Sequence, residues 1–338
     1  MIHPSIRSAS ARLASIVALA LFSIPVFEAA AQQQVPAAPA QDSSAAAPSA
    51  PAPAAPPVFP KPDPANFTAA TPTKETINAF LQTSWGYDDT RMWQVQAILK
   101  TPVDGISKVV VFVGDKSGKQ KPSALQFFTL ADGKHIIAGD EIVSFGEHPY
   151  AENREVLQQR ADGFYRGSAS KDLELVEFAD FQCPHCKDAQ ANMDKLAVDF
   201  PKARIVFQNY PLPQHAAAAN AAAYGECVGK QGGSNAFFTF ASAVFDGQDG
   251  LSSPDGATLT LNSAVVKAGL DPAKIGACAV LPATIASVDA SVKLAKDLNI
   301  GQTPTLMVNG RQVPIGGAPY DVVKQIIMFQ EKLDGIAQ

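Results

Sequence analysis

Cysteine is scarce in this sequence: 338 residues hold four, and none of them precedes Cys183. Cysteine chemistry is therefore absent from the first half of the chain. Long apolar runs are also missing. The longest stretch near the N-terminus, Leu13 to Phe27, is 15 residues, below the roughly 20 that a membrane-spanning helix needs. No excess of basic charge exists either: 27 Lys and Arg stand against 32 Asp and Glu. That balance gives no support to nucleic-acid or anionic-membrane binding. A serine nucleophile elbow, a phosphate-cradling Gly-rich loop and an internal repeat are all lacking, which removes the commonest hydrolase and nucleotide-binding signatures.

What is present begins with an export signal. Arg7 and Arg12 precede the Leu13 to Phe27 run, and Ala29-Ala30-Ala31 is a cleavage site of small residues. Residues 1–31 therefore read as a signal peptide, with an uncleaved N-terminal membrane anchor as the alternative. With no cysteine near Ala31, lipid attachment there is excluded. Residues 35–64 contain ten prolines and ten alanines, a composition with little to bury. Residues 32–65 are accordingly expected to be a disordered linker.

Two folded regions are expected beyond it. Residues 66–160 read as a small α+β domain. Ile77, Phe80 and Leu81 recur at helical spacing behind Thr73, a candidate N-cap. Strands are predicted over 93–99, 108–113, 124–130, 135–137 and 141–145, with a hairpin turn at 131–134. This region has no catalytic cluster, so dimerisation or a partner surface is its expected task. Residues 165–338 read as β, helix, β, a helical insertion at about 212–300, then β-β-α. Strands are predicted over 173–178, 204–210, 305–308 and 312–315, the last two turning at Asn309-Gly310. A closing helix spans 320–333.

The chemistry-bearing motif is Cys183-Pro184-His185-Cys186, set between the strand 173–178 and a helix over 187–200. Two thiols separated by two residues can close a disulfide. Pro184 suits the first helical position, placing Cys183 at a helix N-terminus. Unpaired main-chain N–H groups and the helix dipole there favour thiolate over thiol, and a protonated His185 adds to this. Stabilising the thiolate stabilises the reduced pair, which makes its disulfide a stronger oxidant.

The run Phe178-Ala179-Asp180-Phe181-Gln182-Cys183-Pro184-His185-Cys186, with Gly301-Gln302-Thr303-Pro304-Thr305 after an alanine-rich helical stretch, resembles the DsbA-like branch of the thioredoxin superfamily. The resemblance covers about residues 165–338. It implies an α/β chain: a thioredoxin fold with a helical insertion, preceded by a small α+β domain. It further implies a periplasmic protein disulfide oxidoreductase. Cys183, Cys186 and His185 supply at most three of the four ligands a zinc site needs, so no metal is expected, and no cofactor either. The clients of such an oxidoreductase are unfolded or extended exported polypeptides with thiols, and its redox partner is a DsbB-like or VKOR-like membrane protein. By the same resemblance Cys183 forms the mixed disulfide and Cys186 resolves it. Pro304 matches the cis-proline that aligns a client backbone beside Thr303, and Glu177 matches the buried acid that takes the Cys186 proton.

Thr303 before Pro304 points the other way, toward the isomerase and reductase branches. Residues 95–160 faintly resemble the dimerisation domain of DsbC/DsbG-type isomerases, which implies a homodimer through 66–160 kept reduced by a DsbD-like partner. A disulfide donor is the favoured expectation. The non-redox rival is a thioredoxin-fold chaperone or binding module. Cys227 and Cys278 lie in the helical insertion and, if joined, close a 52-residue loop. Such a crosslink is worth roughly 4 kcal/mol in the chain-entropy estimate. A structural disulfide is the expectation, and a second redox relay or two buried thiols are the alternatives. His135, His148 and His215 read as solvated or capping residues. Asp180 and Gln182 flank the motif without an assigned role.

Overall fold

The computed structural model describes residues 59–118 and 121–336. The expected signal peptide and most of the expected linker lie outside the described residues. The last part of that linker, 59–65, is not free chain. The Phe59 ring packs 6.3 Å from that of Phe112, and the Pro60 carbonyl accepts a hydrogen bond from Gln96. Phe59 gives this stretch a large apolar ring to bury.

The first layer is a helix on a sheet. Helix α1 spans Lys74–Trp85, and the Thr73 hydroxyl accepts the Thr76 N–H, as a capping threonine does. Strands β1 (Arg91–Lys100), β2 (Ser107–Asp115), β3 (Ser123–Thr129), β4 (His135–Ala138) and β5 (Glu141–Ser144) form an antiparallel sheet in sequence order. Ile77 and Leu81 of α1 are buried with Val95, Val109, Val111 and Phe127 of the sheet. The alternating burial of β2 is what a strand with one covered face shows.

Helix α2 (Ala151–Arg160) was not visible in the apolar pattern, and it does not belong with the first sheet. Leu157 is buried against Val176, Phe178 and Leu294 of the second layer. The division expected at residue 160 therefore falls before α2. Strand β6 (Phe164–Gly167) also went unread. It is a four-residue edge strand whose pairing with a later strand, not its own pattern, defines it.

The second sheet has the order β10-β9-β7-β8-β6. Strand β7 (Glu174–Ala179) runs parallel to β8 (Arg204–Asn209), with helix α3 (Pro184–Asp199) as the crossover. Strands β9 (Thr305–Val308) and β10 (Arg311–Pro314) form an antiparallel hairpin that adds to β7. Asn309 and Gly310 both have positive φ, the backbone of a two-residue turn matched to sheet twist. Every residue of β7 is buried, because α3 and the closing helix α8 (Tyr320–Leu333) cover one face and the other helices the opposite one.

Between β8 and β9 lies the helical insertion: α4 (Ala218–Asp246), α5 (Pro254–Lys267), α6 (Pro272–Ala279) and α7 (Pro282–Asp297). Alanine at the inward positions lets α4 approach closely, and Gly233 at φ 78° breaks α4 into two segments. The sulfurs of Cys227 on α4 and Cys278 on α6 are bonded to each other. Among the described residues no single helix is long and apolar enough to cross a membrane. The two layers meet at Arg311, whose buried guanidinium donates to the Thr83 and Ser84 carbonyls at the end of α1 and, through Nε, to Gln330 of α8.

Candidate active site

Strand β7 ends at Ala179, and residues 180–183 turn the chain into α3. Cys183 is the N-cap of that helix and Pro184 its first residue. Proline costs nothing there, since the first-turn N–H groups have no intrahelical partner. The Cys183 N–H donates to the Asp180 carbonyl at 3.1 Å, and the Cys186 N–H to the Cys183 carbonyl at 3.1 Å. Both sulfurs are thereby fixed relative to the end of β7. Cys183 and Cys186 are buried residues, whereas Pro184 and His185 between them are exposed.

The β9 hairpin supplies the opposite wall. The Thr303–Pro304 peptide bond is cis, and the Thr303 carbonyl lies 3.5 Å from Cys183 Sγ. Gly316, following β10, faces both sides: a Cβ there would stand 3.4 Å from Pro304 Cδ and 3.6 Å from His185 Cβ. The structure thus brings Cys183, Pro184, His185, Cys186, Thr303 and Pro304 into one place.

The two sulfurs are electrostatically unlike. The Cys183 thiol is lowered from 9.0 to about 5, first by a hydrogen bond from the Cys186 thiol, then by Thr303 and by the main-chain N–H groups of Cys186 and His185. Among the described residues the buried Thr303 hydroxyl has no other partner. His185 contributes its main-chain N–H, and its ring is exposed. Burial pushes the Cys186 thiol well up, and the adjacent Cys183 thiolate, which its proton bridges, adds to the effect.

Glu177 lies on β7 beneath the motif and is 3% exposed. Burial raises its carboxyl from 4.5 to about 7, against a lowering hydrogen bond from Gln190. The Gln190 amide donates to Glu177 Oε1 at 3.0 Å and to the Cys186 carbonyl at 3.1 Å, bridging acid and resolving cysteine. Sequence reading missed Gln190, although it sits four residues after Cys186 on the same helix face. It also missed Gln248, whose buried amide donates at 2.9 Å to the Phe181 and Cys183 carbonyls. Nothing local in the sequence marks Gln248, because the insertion folds it back over 65 residues to reach Cys183.

His215 is not a solvated residue. Its Nδ1 lies 2.7 Å from Asp180 Oδ2, and the Asp180 carboxylate is fully buried. Cys227 and Cys278 stand apart from this place, in the insertion.

A family described as thioredoxin matches residues 160–327. Among curated relatives, the Na(+)/H(+) antiporter NhaA 1 of Mycolicibacterium vanbaalenii is 33% identical over 153 residues, which cover 43% of this chain and 23% of that protein. The NhaA antiporter of Herminiimonas arsenicoxydans is 30% identical over 149 residues, 44% of this chain and 22% of that protein. The chain thus spans less than a quarter of the length of these relatives. Among solved structures, a thioredoxin-like oxidoreductase from Silicibacter pomeroyi is similar at 24% identity and TM-score 0.46, covering 53% of this chain and 98% of that one. DsbA2 of Pseudomonas aeruginosa is similar at 28% identity and TM-score 0.43, covering 50% of this chain and 93% of that one.

Proposed function

Because residues 160–327 belong to the thioredoxin family, we propose that this protein is a thiol–disulfide oxidoreductase that donates the Cys183–Cys186 disulfide to exported polypeptides in the periplasm. One observation carries the reading: Cys183 sits at the N-terminus of α3 with its thiol lowered to about 5. A thiolate held that strongly makes the reduced pair the favoured state, so the disulfide is a good oxidant.

The cycle follows from the two acidities. A client thiolate attacks Cys183 Sγ, the Cys183–Cys186 bond breaks, and the electron pair moves to Cys186 Sγ. That sulfur takes a proton readily because burial disfavours its thiolate. Glu177, half protonated near neutral pH, is placed to supply it. A second client thiolate then attacks the client sulfur of the mixed disulfide. Cys183 leaves as a stable thiolate, and the client holds the new disulfide. Pro304 and Thr303 flank Cys183 where an extended client backbone would run. Reoxidation falls to a membrane partner of DsbB-like or VKOR-like type.

Thiol labelling of this pair in freshly isolated periplasm tests the direction. A mostly oxidised pair is expected, and a mostly reduced one rejects the donor role. Cys183→Ser should abolish oxidation of a dithiol peptide, while retained activity ends the redox reading altogether.

One observation favours a second reading, a dimeric isomerase kept reduced by a DsbD-like partner. Strand β5 is the outer strand of the first sheet, and its Ile142 is 62% exposed. An apolar edge strand is a template for pairing with another chain. A dimer mass in light scattering together with a reduced resting pair supports this reading, and a monomer mass removes it.

A further inference from the structure

The Asp180 side chain has a demanding position for a residue outside the exchanging pair. It is 1% exposed, and a buried carboxylate is costly unless every lone pair finds a donor. Here the donors are present. Oδ1 accepts the Gln182 N–H at 2.7 Å. Oδ2 accepts the Leu212 N–H at 2.8 Å and the His215 Nδ1–H at 2.7 Å. Leu212 and His215 belong to the loop that leaves β8 for the insertion, so the carboxylate ties the end of β7 to that loop.

The main chain of Asp180 then bonds to both cysteines. Its carbonyl accepts the Cys183 N–H, and its own N–H points at Cys186 Sγ from 3.4 Å. No other main-chain N–H is recorded on that sulfur among the described residues.

We propose that Asp180, clamped by His215, is a positioning residue that holds its main-chain N–H on Cys186 Sγ to receive the charge arriving there when the Cys183–Cys186 disulfide opens. The inference rests on the exchange chemistry proposed above. In that step the attacking thiolate forms a bond to Cys183 Sγ, and the Cys183–Cys186 bond breaks. The electron pair comes to rest on Cys186 Sγ, which is neutralised by a proton from Glu177 or water. A donor already in place needs no reorganisation as the charge develops, and hydrogen bonds to a charged acceptor are the strong ones. The clamp acts on the leaving sulfur, whereas Cys183 is lowered first by the Cys186 thiol and then by Thr303 and the main-chain N–H groups at the start of α3.

The test uses the oxidised full-length protein with reduced glutathione as the attacking thiol. Stopped-flow measurement gives the rate of disulfide opening, and thiolate absorbance of the reduced protein gives the acidity of Cys183. Asp180→Asn and His215→Ala should each slow opening roughly tenfold, the size expected from weakening one charge-assisted hydrogen bond, with Cys183 acidity unchanged. His215→Asn, whose amide N–H can replace Nδ1–H, should restore most of the rate. Unchanged opening with a lowered melting temperature would make the pair a mere staple and overturn the proposal. So would a loss of Cys183 acidity that accounts for the slower rate. If the unaltered protein opens no faster than an ordinary exposed disulfide, the exchange reading itself fails and this inference with it.

Discussion

Replacing Glu177 by glutamine should stabilise the protein at alkaline pH while leaving it nearly unchanged in mild acid. The native carboxyl is raised from 4.5 to about 7 by burial. Between those values the folded state binds a proton that the unfolded state has released, so stability falls as pH rises through this window. The gap corresponds to about 3 kcal/mol once both states are ionised. Glutamine has nearly the same shape, still accepts the Gln190 amide in place of Oε1, and carries no charge to desolvate. Urea unfolding of the oxidised proteins, in which neither thiol of the pair titrates, isolates this one group. The variant should gain about 3 kcal/mol near pH 8 and less than about 1 kcal/mol near pH 5. Equal unfolding free energies at both pH values would refute the claim that burial, rather than hydrogen bonding, governs Glu177.

Titrating the reduced protein by thiolate absorbance should give a midpoint near 5 for Cys183; an ordinary cysteine midpoint removes the basis for an oxidising disulfide. As the folded value is depressed, the stability it gives the reduced form is present above the unfolded value of 9.0 and is lost as pH falls through about 5. Replacing Cys227 and Cys278 together by serine should cost about 4 kcal/mol of stability with exchange chemistry retained; lost exchange at normal stability would make that pair a redox relay. Arg311→Met should cost about 3 kcal/mol in denaturant unfolding, since it strips charge-assisted donors from the Thr83 and Ser84 carbonyls; an unchanged midpoint would show that the α1 contact contributes nothing.

The elements legible in the sequence were those whose own residues specify them. Helix α8 was readable to its ends because Val323, Ile326 and Ile327 make a stripe that is buried as a stripe. Helix α1 announced itself by Thr73 and three apolar residues. The Cys183–Cys186 turn was readable because Pro184 and the preceding apolar strand fix a helix N-terminus. Helix α2 failed this test: its one fully buried side chain is Leu157, so packing on the second sheet, not periodicity, makes it a helix. Strand β6 owes its state to β8, residues 204–209. The clamp under the site was hidden for the same reason. Asp180 and His215 are 35 residues apart, and only the return of β8 beside β7 makes them neighbours.

That separation also explains why the site is asymmetric. The acidity of Cys183 is set first by the hydrogen bond from the Cys186 thiol, then by Thr303 and by the adjacent N–H groups of Cys186 and His185 at the helix N-terminus. Long-range packing sets that of Cys186, through burial beneath the insertion and against β7. A thiolate of low pKa leaves readily and one of high pKa does not. In a mixed disulfide through Cys183, a client's second thiol therefore displaces a good leaving group. The competing return of Cys186 must first deprotonate a buried thiol, and in the proposed cycle the base is the Glu177 carboxyl, raised to about 7. In the proposed cycle, the balance between release and return falls to Glu177 and the insertion. Glu177→Gln should lengthen the life of a mixed disulfide with a single-thiol client, and a lifetime equal to that of the unaltered protein would place the proton elsewhere.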